Sequence, residues 1–305
     1  MRITTQMMNT SMQANLGSAI DRLMTLQNQA SSGKRIQSVS DDPIGAAQAM
    51  GYRSSLASIA QYSKNVTQAK LQLGLADSTL SDVTKALQEA KRVGLQGANA
   101  ATSDDQRKAM AVQVQQQIDN ILQDVNATNL DHHLYGGFAT TSDPVSLNPA
   151  GGSPPYVYNG DDGVTKVAMN DSTEIQTSLT AKQILNFGGA ADASSPDLMT
   201  TLVGLRDALN ANDTTAIQTG LKNLEGGIQS TITLRGLVGA RAQQVELHAT
   251  RLSDAEATIS EQLTSVEDVD ITKVLTQLQT EQNVYQASLL ATSKMVQSSL
   301  ADYLK

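Results

Sequence analysis

An apolar repeat of three- and four-residue steps runs from Ile59 to Gly97, and no other sequence feature constrains the fold as strongly. The residues between its apolar positions are mostly polar or small. A 3,4 repeat of this length places one apolar seam along one side of an α-helix. Because such helices draw most of their stability from packing that face, this one needs a partner.

A second seam with the same spacing supplies that partner, from Ile217 to Val266, far along the chain. We therefore predict a mainly α fold, a long antiparallel helical rod or coiled-coil bundle formed by the N- and C-terminal halves, with a small β-containing module inserted in the middle. The expected rod seam residues are Ile59, Val66, Leu73, Leu80, Val83, Leu87, Leu221, Leu224, Ile228, Val245, Leu252 and Ile259.

Start and stop signals divide the first half of the chain. Gly33 is typical of the residue after a helix, and Asp42-Pro43 is typical of an N-cap followed by the first helical residue. Residues 33–42 are thus predicted to connect two helices. The second helix, about 55 residues long, is predicted to begin near Pro43 and to end near Gly94 and Gly97, since no proline interrupts it.

Capping signals open the later helices as well. Ser103 begins a capping-box pattern. Asp213 and Asp270 are predicted N-caps of the second long helix and of a final helix. Ser195-Pro196 is predicted to cap a short helix before the second seam.

Amphipathic helices are predicted at both ends of the chain, over residues 5–30 and 271–305. Their seams are short and diluted by Met, Ala and Gln, so each needs a partner to compensate its ordering entropy. We expect them to act in assembly. The candidate assembly residues are Met12, Leu16, Leu23, Leu26, Ile271, Leu275, Leu278, Tyr285, Leu289, Val296 and Tyr303.

The segment 141–195 differs in composition, with four of the six prolines and short strand-like apolar stretches. The turn 159–163 is predicted to join the first two stretches, 156–158 and 164–169, as a β-hairpin. No seam residue lies in this segment, so we expect it to be dispensable for the rod.

These boundaries define three predicted domains. They are a terminal pair of helices that we expect to be disordered in the free monomer (1–42 with 268–305), a rod domain (43–140 with 196–267) and an inserted β-rich outer module (141–195).

Composition and motifs exclude several classes of function. The net charge of −8 is unlike the basic stripe of nucleic-acid-binding proteins, and no apolar run is long enough to span a membrane. The start MRITTQMMNTSM lacks the apolar region of a Sec signal peptide. The absence of cysteine excludes disulfides and thiol nucleophiles.

Catalytic and metal-site motifs are missing too. The adjacent His132 and His133 have no further ligands at helical spacing, and paired acids such as Asp41 and Asp42 stand at helix starts, where the macrodipole favours them. We therefore predict a structural or interaction protein, not an enzyme, with no cofactor and no metal.

Short motifs at both ends carry a resemblance to a known family. They are Arg2-Ile-Thr-Thr5, Ser32-Gly-Lys-Arg-Ile36, Ser40-Asp-Asp-Pro43 and Ser298-Ser-Leu-Ala-Asp-Tyr-Leu304. Together they resemble the hook-associated protein 3 family of the flagellin superfamily, which forms the junction between flagellar hook and filament. Flagellin shares the Ser-Gly-Lys/Leu-Arg-Ile connector but usually has Asp-Asp-Ala-Ala-Gly where this chain has Asp-Asp-Pro-Ile-Gly.

The resemblance implies a place in the bacterial flagellum. Members place the paired terminal helices in the inner tube, the long helices in a middle layer and the β module outside. The implied partners are the first hook-associated protein, flagellin, further copies of the chain in a ring with one subunit per protofilament, and a flagellar export chaperone. The implied localisation is extracellular, in the flagellum, after type III export without membrane insertion.

Two alternatives remain open from the sequence. The chain could be a flagellin filament subunit, which shares the connector and would be abundant in filaments. It could also be a cytosolic coiled-coil adaptor, which would be stably helical at both ends and would not be secreted.

Overall fold

A computed structural model describes residues 5–129, 131–149, 154–189 and 197–303. Within these ranges the α-helices are α1 (Thr5–Ser32), α2 (Pro43–Gly97), α3 (Asp104–Val125), α4 (Ala181–Ile184), α5 (Leu198–Asn210), α6 (Thr214–Glu267) and α7 (Ile271–Tyr303). The strands are β1 (Thr128–Asn129), β2 (His132–His133), β3 (Val145–Leu147), β4 (Tyr156–Tyr158), β5 (Lys166–Ala168) and β6 (Glu174–Gln176). The predicted fold class, mainly helical with small strand pairs in the middle, is confirmed.

Four of the predicted helix caps are present. The side chain of Asp42 accepts a hydrogen bond from the Gly45 N–H at 2.9 Å, and Ser103 forms a full capping box. Asp213 and Asp270 accept from the first-turn N–H groups of α6 and α7. These bonds satisfy donors that the helices leave unpaired.

The cap of α5 differs from the prediction. Asp197, not Ser195-Pro196, is its N-cap, and its side chain accepts from the Thr200 N–H at 3.0 Å. A carboxylate directly before Leu198 is well placed for this role, and it also favours the positive end of the helix dipole. Ser195 and Pro196 lie outside the described residues.

The chain divides into two compact units. Residues 1–59 with 254–305 form what we call the terminal unit, and residues 60–253 form the central unit. Both α2 and α6 contribute to each unit. The three predicted domain boundaries stay a prediction.

In the central unit, α2 and α6 run antiparallel. Lys70 of α2 pairs with Glu246 of α6 at 2.5 Å, and Lys91, further along α2, pairs with Glu225, earlier in α6. The seam between them is buried. The predicted seam residues that are buried in this unit are Val66, Leu73, Leu80, Val83, Leu87, Leu221, Leu224, Ile228 and Val245, and Leu252 is half-buried.

Gly94 and Gly97 do more than mark the end of α2. A Cβ at Gly94 would lie 2.8 Å from Leu221 of α6 and 3.3 Å from Leu205 of α5, and one at Gly97 would overlap Leu209. The two glycines therefore let α5 and α6 approach the backbone of α2, a contact that a larger side chain would prevent.

Arg107 is a buried charge that the sequence did not single out, with 5% of its surface exposed. Its guanidinium donates to the carbonyl oxygens of Gly97 at 2.8 Å and Asn99 at 2.9 Å and to the side chain of Asn212. Arg107 thus joins the end of α2, the start of α3 and the α5–α6 turn. These acceptors pair the N–H donors of its guanidinium, which burial would otherwise leave without hydrogen bonds.

The strand pairing corrects the predicted hairpin. Strand β4 pairs antiparallel with β3, and β5 pairs with β6, so the turn 159–163 does not join β4 to β5 as a hairpin. The reason lies in Asp161, whose carboxylate accepts from the N–H groups of Phe138 at 2.7 Å and Gly163 at 2.9 Å. This holds the turn against residues 136–138 instead.

The β strands share the apolar core of the long helices. Tyr156, Met169 and Ile175 are buried in the same cluster as Leu73 and Leu80. Strands of three residues cannot enclose a core of their own, so they pack on the nearest apolar surface. This shared core argues against the expectation that the segment is dispensable for the rod, which assumed that it contributes nothing to the seam.

Leu80→Asp tests the central seam. Leu80 is fully buried, so the change places an unpaired carboxylate there and loses about 1.5–3 kcal/mol of side-chain burial. Thermal unfolding followed by circular dichroism should show loss of the cooperative transition. Leu71→Asp is the matched control because Leu71 of α2 is 60% exposed. Equal unfolding in both variants would contradict the seam.

Met169→Ala tests the shared core. Met169 is fully buried, and truncating such a side chain costs about 2–5 kcal/mol. We expect the main thermal transition of the helices to fall, whereas Leu147→Ala, at a 69% exposed strand position, should leave it unchanged. An unaltered transition in the Met169 variant would show that the strands are separable from the helices.

Candidate assembly site

The terminal unit pairs α1 with α7 in antiparallel orientation. Arg22 of α1 contacts Glu281 of α7 through two hydrogen bonds of 3.1 and 3.4 Å. Nearer the end of α1, Lys34 forms a backbone bridge with Asp268, just before α7. The structure thus brings together the two helices that the sequence assigned to assembly.

The predicted assembly residues occupy two kinds of position in this pair. Those that are half-buried are Met12, Leu16, Leu23, Leu26, Leu278 and Tyr285. Those that are exposed are Ile271, Leu275 and Leu289. The side chains of Val296 and Tyr303 lie outside the described residues. Their role in assembly stays a prediction.

The sequence analysis missed Val274, a buried residue of α7 with 2% of its surface exposed. The predicted seam places Leu275 three residues and Ile271 seven residues before Leu278. A four-residue step, equally compatible with a 3,4 repeat, would have found Val274.

Apolar side chains also lie on the outer faces of both helices. They are Ile20 and Met24 on α1 and Val284 and Leu290 on α7, with Leu290 65% exposed. The single chain therefore leaves part of its terminal apolar surface in water, as expected of helices that bury more surface on association.

The connector between α1 and α2 binds the turn between α6 and α7. Gly33 takes the left-handed conformation (φ 71°) predicted for the residue after a helix, and its carbonyl accepts from the Val269 N–H at 3.0 Å. The Arg35 N–H in turn donates to the Glu267 carbonyl at 2.6 Å. Two backbone hydrogen bonds thus join the segments in an antiparallel bridge.

Glu267 lies at the centre of this bridge, with 3% of its side chain exposed. Lys34 contacts its carboxylate at 2.6 Å, and Arg53 of α2 contacts the same oxygen. Burial alone raises the pKa of Glu267, but the hydrogen bonds and charges of Lys34 and Arg53 outweigh burial and lower it. The carboxylate is therefore held ionised by its two cations.

Two further carboxylates organise the connector. Asp41 accepts from the backbone N–H groups of Ser38 at 2.8 Å and Gln37 at 3.0 Å, and these bonds lower its pKa. The pKa of Asp42 is lowered by the Gly45 N–H first and then by Arg35. The two acids that the sequence placed at a helix start thus also fold the loop before it.

Other candidate sites are not formed in the described part of the chain. His132 and His133 lie in β2, where the ring of His133 contacts the Asn126 carbonyl at 3.0 Å, and no group of three or more His, Asp or Glu there could hold a metal ion. Among the same described residues, no helix is long and apolar enough to cross a membrane.

Comparison with known proteins places these helices in a family. Residues 3–133 match the bacterial flagellin N-terminal helical region, and residues 221–304 match the bacterial flagellin C-terminal helical region. Flagellar hook-associated protein 3 of Salmonella typhimurium is 26% identical over 312 aligned residues, which cover 98% of both chains.

Two further similarities bear on the fold and on flagellin. The phase 1 flagellin of Salmonella naestved is 29% identical over 119 residues, which cover 39% of this chain and 22% of the flagellin. The crystal structure of the flagellar junction protein FlgL from Legionella pneumophila matches with a TM-score of 0.60 at 16% identity, over 72% of this chain and 99% of that one. The latter match supports the fold.

The paired terminal helices and the matches at both ends define a structural protein of the flagellin superfamily, a component of the bacterial flagellum. Within that superfamily, the chain is similar to hook-associated protein 3 of Salmonella typhimurium over nearly its whole length.

The lowered pKa of Glu267 predicts how acid affects the connector. Its ion pairs stabilise the folded chain above the ordinary glutamate pKa of 4.5, and this stability is lost as the pH falls through the lower folded value. Glu267→Gln should therefore be less stable than wild type at pH 7, and the difference should vanish in acid.

Comparing wild type with Glu267→Gln isolates the contribution of Glu267 to the pH dependence of stability, because Asp41 and Asp42 titrate in both proteins. Urea unfolding at a series of pH values measures the difference. A difference that stays constant from pH 7 to below about pH 2 would contradict the assignment of the lowered pKa to these ion pairs.

Proposed function

We propose that the chain is the subunit of the junction between the flagellar hook and its filament. One observation carries this proposal: the match to hook-associated protein 3 covers 98% of the chain, whereas matches to filament proteins cover less, 73% for the flagellar filament 41 kDa core protein of Borreliella burgdorferi and 39% for the phase 1 flagellin. A filament subunit would be expected to match flagellin over more of its length.

The terminal helices support the proposed mode of assembly. The α1–α7 pair buries little of its own apolar surface, and Ile271, Leu275 and Leu289 stay exposed in the single chain. Neighbouring subunits would bury these side chains, each contributing about 25 cal/mol per Å² of apolar surface removed from water. The exposed apolar side chains support assembly through the terminal helices, and the ring with one subunit per protofilament is what the family resemblance implies.

A junction joins two different structures, so the proposed subunit needs a different partner on each side. One side of the ring would bind the first hook-associated protein and the other side flagellin. The chain would leave the cell through the flagellar type III apparatus, and an export chaperone would hold its C-terminal helix beforehand. The absence of cysteine is compatible with passage between redox compartments.

The proposal includes no catalysis. The carboxylates in the terminal unit that have lowered pKa values, Asp41, Asp42 and Glu267, bind backbone N–H groups or cations of the connector. Their shifts are explained by structure, which is a common origin of perturbed pKa values outside active sites.

Deletion of the gene tests the function. The junction proposal predicts cells with intact hooks and no filaments, and with flagellin monomers in the medium. If the chain were a filament subunit, deletion would remove that flagellin itself, so none of it would appear in the medium. If the chain were a cytosolic adaptor, deletion would leave the flagella unchanged. Either result would contradict the proposal.

Leu289→Asp tests the role of the terminal helices. Leu289 is already 41% exposed, so the melting temperature of the purified chain should fall far less than with a charge at a fully buried seam position. The variant should be exported but should fail to support filament growth, with flagellin lost to the medium. Asn283→Asp, an exposed polar position on α7, is the control and should support normal filaments. Normal filaments with Leu289→Asp would contradict the role.

A further inference from the structure

The turn after β4 contains Asn159 followed by Gly160, the one Asn-Gly pair in the sequence. In such a pair the glycine nitrogen attacks the side-chain Cγ of the asparagine, because no Cβ on the next residue hinders the approach. A bond forms between that nitrogen and Cγ, the Cγ–Nδ2 bond breaks, and the amide leaves as ammonia with the proton of the attacking N–H. Water then opens the cyclic imide to aspartate or isoaspartate, so the reaction needs neither an enzyme nor a cofactor.

The attacking N–H of Gly160 is free in the folded chain. Among the described residues it donates to no acceptor. Its two neighbours are bonded, since the Asn159 N–H donates to the Pro144 carbonyl at 2.9 Å and the Asp161 N–H to the Gly136 carbonyl at 3.1 Å. Asn159 is also exposed, so water reaches the imide. The fold thus leaves both the nucleophile and the hydrolysis step unhindered.

The leaving group is the part of this site that the fold restrains. Asn159 Nδ2 donates to Ser146 Oγ at 2.8 Å and to the Asp143 carbonyl at 3.2 Å. These two bonds hold the carboxamide on β3 and on the residue two positions before Val145. Cyclisation must break both of them, because Cγ has to turn towards Gly160 and the nitrogen has to depart. The hydrogen bonds of Nδ2 therefore act as the barrier that the fold adds to the reaction.

We propose that Asn159 is a site of spontaneous deamidation in the folded chain and that the two hydrogen bonds of its Nδ2 set the rate. The product cannot restore the contact with Asp143, because a carboxylate is an acceptor only and the Asp143 carbonyl is an acceptor too. The new charge also joins Asp161 and Asp162 in the same turn. Each conversion therefore loosens the turn from the start of β3.

Asn126 provides an internal reference in the same molecule. Its Nδ2 donates to the Val145 carbonyl at 2.8 Å, and its Oδ1 accepts from the Val145 N–H at 3.0 Å. The residue after it is Ala127, whose N–H donates to the Asp124 carbonyl at 3.4 Å. Asn126 therefore lacks both the free nucleophile and the unhindered approach that Asn159 has.

Ser146→Ala tests the barrier, because it removes one acceptor of Nδ2 and leaves the Asp143 carbonyl in place. Purified full-length chains are incubated at neutral pH, and mass spectrometry of their peptides measures conversion at each asparagine. We expect conversion of Asn159 to be about two- to tenfold faster in Ser146→Ala than in wild type, the factor that one neutral hydrogen bond corresponds to. It should be faster still in urea, where both bonds are absent.

Ser172→Ala is the matched control, since it removes an exposed hydroxyl from the turn between β5 and β6 and should keep the wild-type rate. Asn126 should stay unconverted in every folded sample. Three results would overturn the inference: equal rates in wild type and Ser146→Ala, equal rates in the folded and the urea-treated chain, and no conversion of Asn159 in any folded sample.

Asn159→Asp reproduces one product and tests its effect on the turn. We expect the melting temperature to fall by about 2–4 °C, as loss of one hydrogen bond of ordinary strength gives in a domain of this size. Asn170→Asp is the control, because Asn170 uses its side-chain oxygen, which accepts from the Ser172 N–H at 2.9 Å, and a carboxylate keeps that role. Equal melting temperatures for wild type and Asn159→Asp would show that conversion leaves the turn intact.

Discussion

Burial of one apolar stripe on α2 is the interaction on which the central unit depends. Leu73, Leu80 and Leu87 are at most 1% exposed, and each such side chain contributes about 1.5–3 kcal/mol when removed from water. Most of the buried apolar surface of the helix lies in this stripe. Helices α5 and α6 and the strands all pack on this stripe, so its spacing determines where each of them can lie.

The two helix pairs of this chain illustrate two uses of the same repeat. In the central unit the 3,4 spacing is filled by Leu, Ile and Val and closes into a dry core. In the α1–α7 pair the same spacing carries Met, Ala and Gln, and most positions keep partial contact with water. The first composition gives a stable folded body. The second gives a surface whose burial is completed by another molecule, with methionine adapting to more than one neighbour.

The helix seams and helix ends could be predicted from the sequence, whereas contacts between distant loops could not. The bounds of α2 followed from Pro43 and Gly97, since these signals act within one turn of a helix. The partner of β4 depended on Asp161 binding the N–H of Phe138, 23 residues away, which no local pattern encodes. In the sequence, Glu267 is one of several acids in an acidic stretch. Only the fold brings Lys34 and Arg53 close enough to form ion pairs with it.

The antiparallel pairing of α2 with α6 also gives the chain a high contact order. Asp77 and Arg235, which are 158 positions apart in the sequence, are in contact, so the core cannot close until α6 has been synthesised. Closing so large a loop is slow, and every shorter nascent chain lacks half of the seam. The topology thus lengthens the interval in which the polypeptide is still unfolded, which is the interval that the proposed export would use.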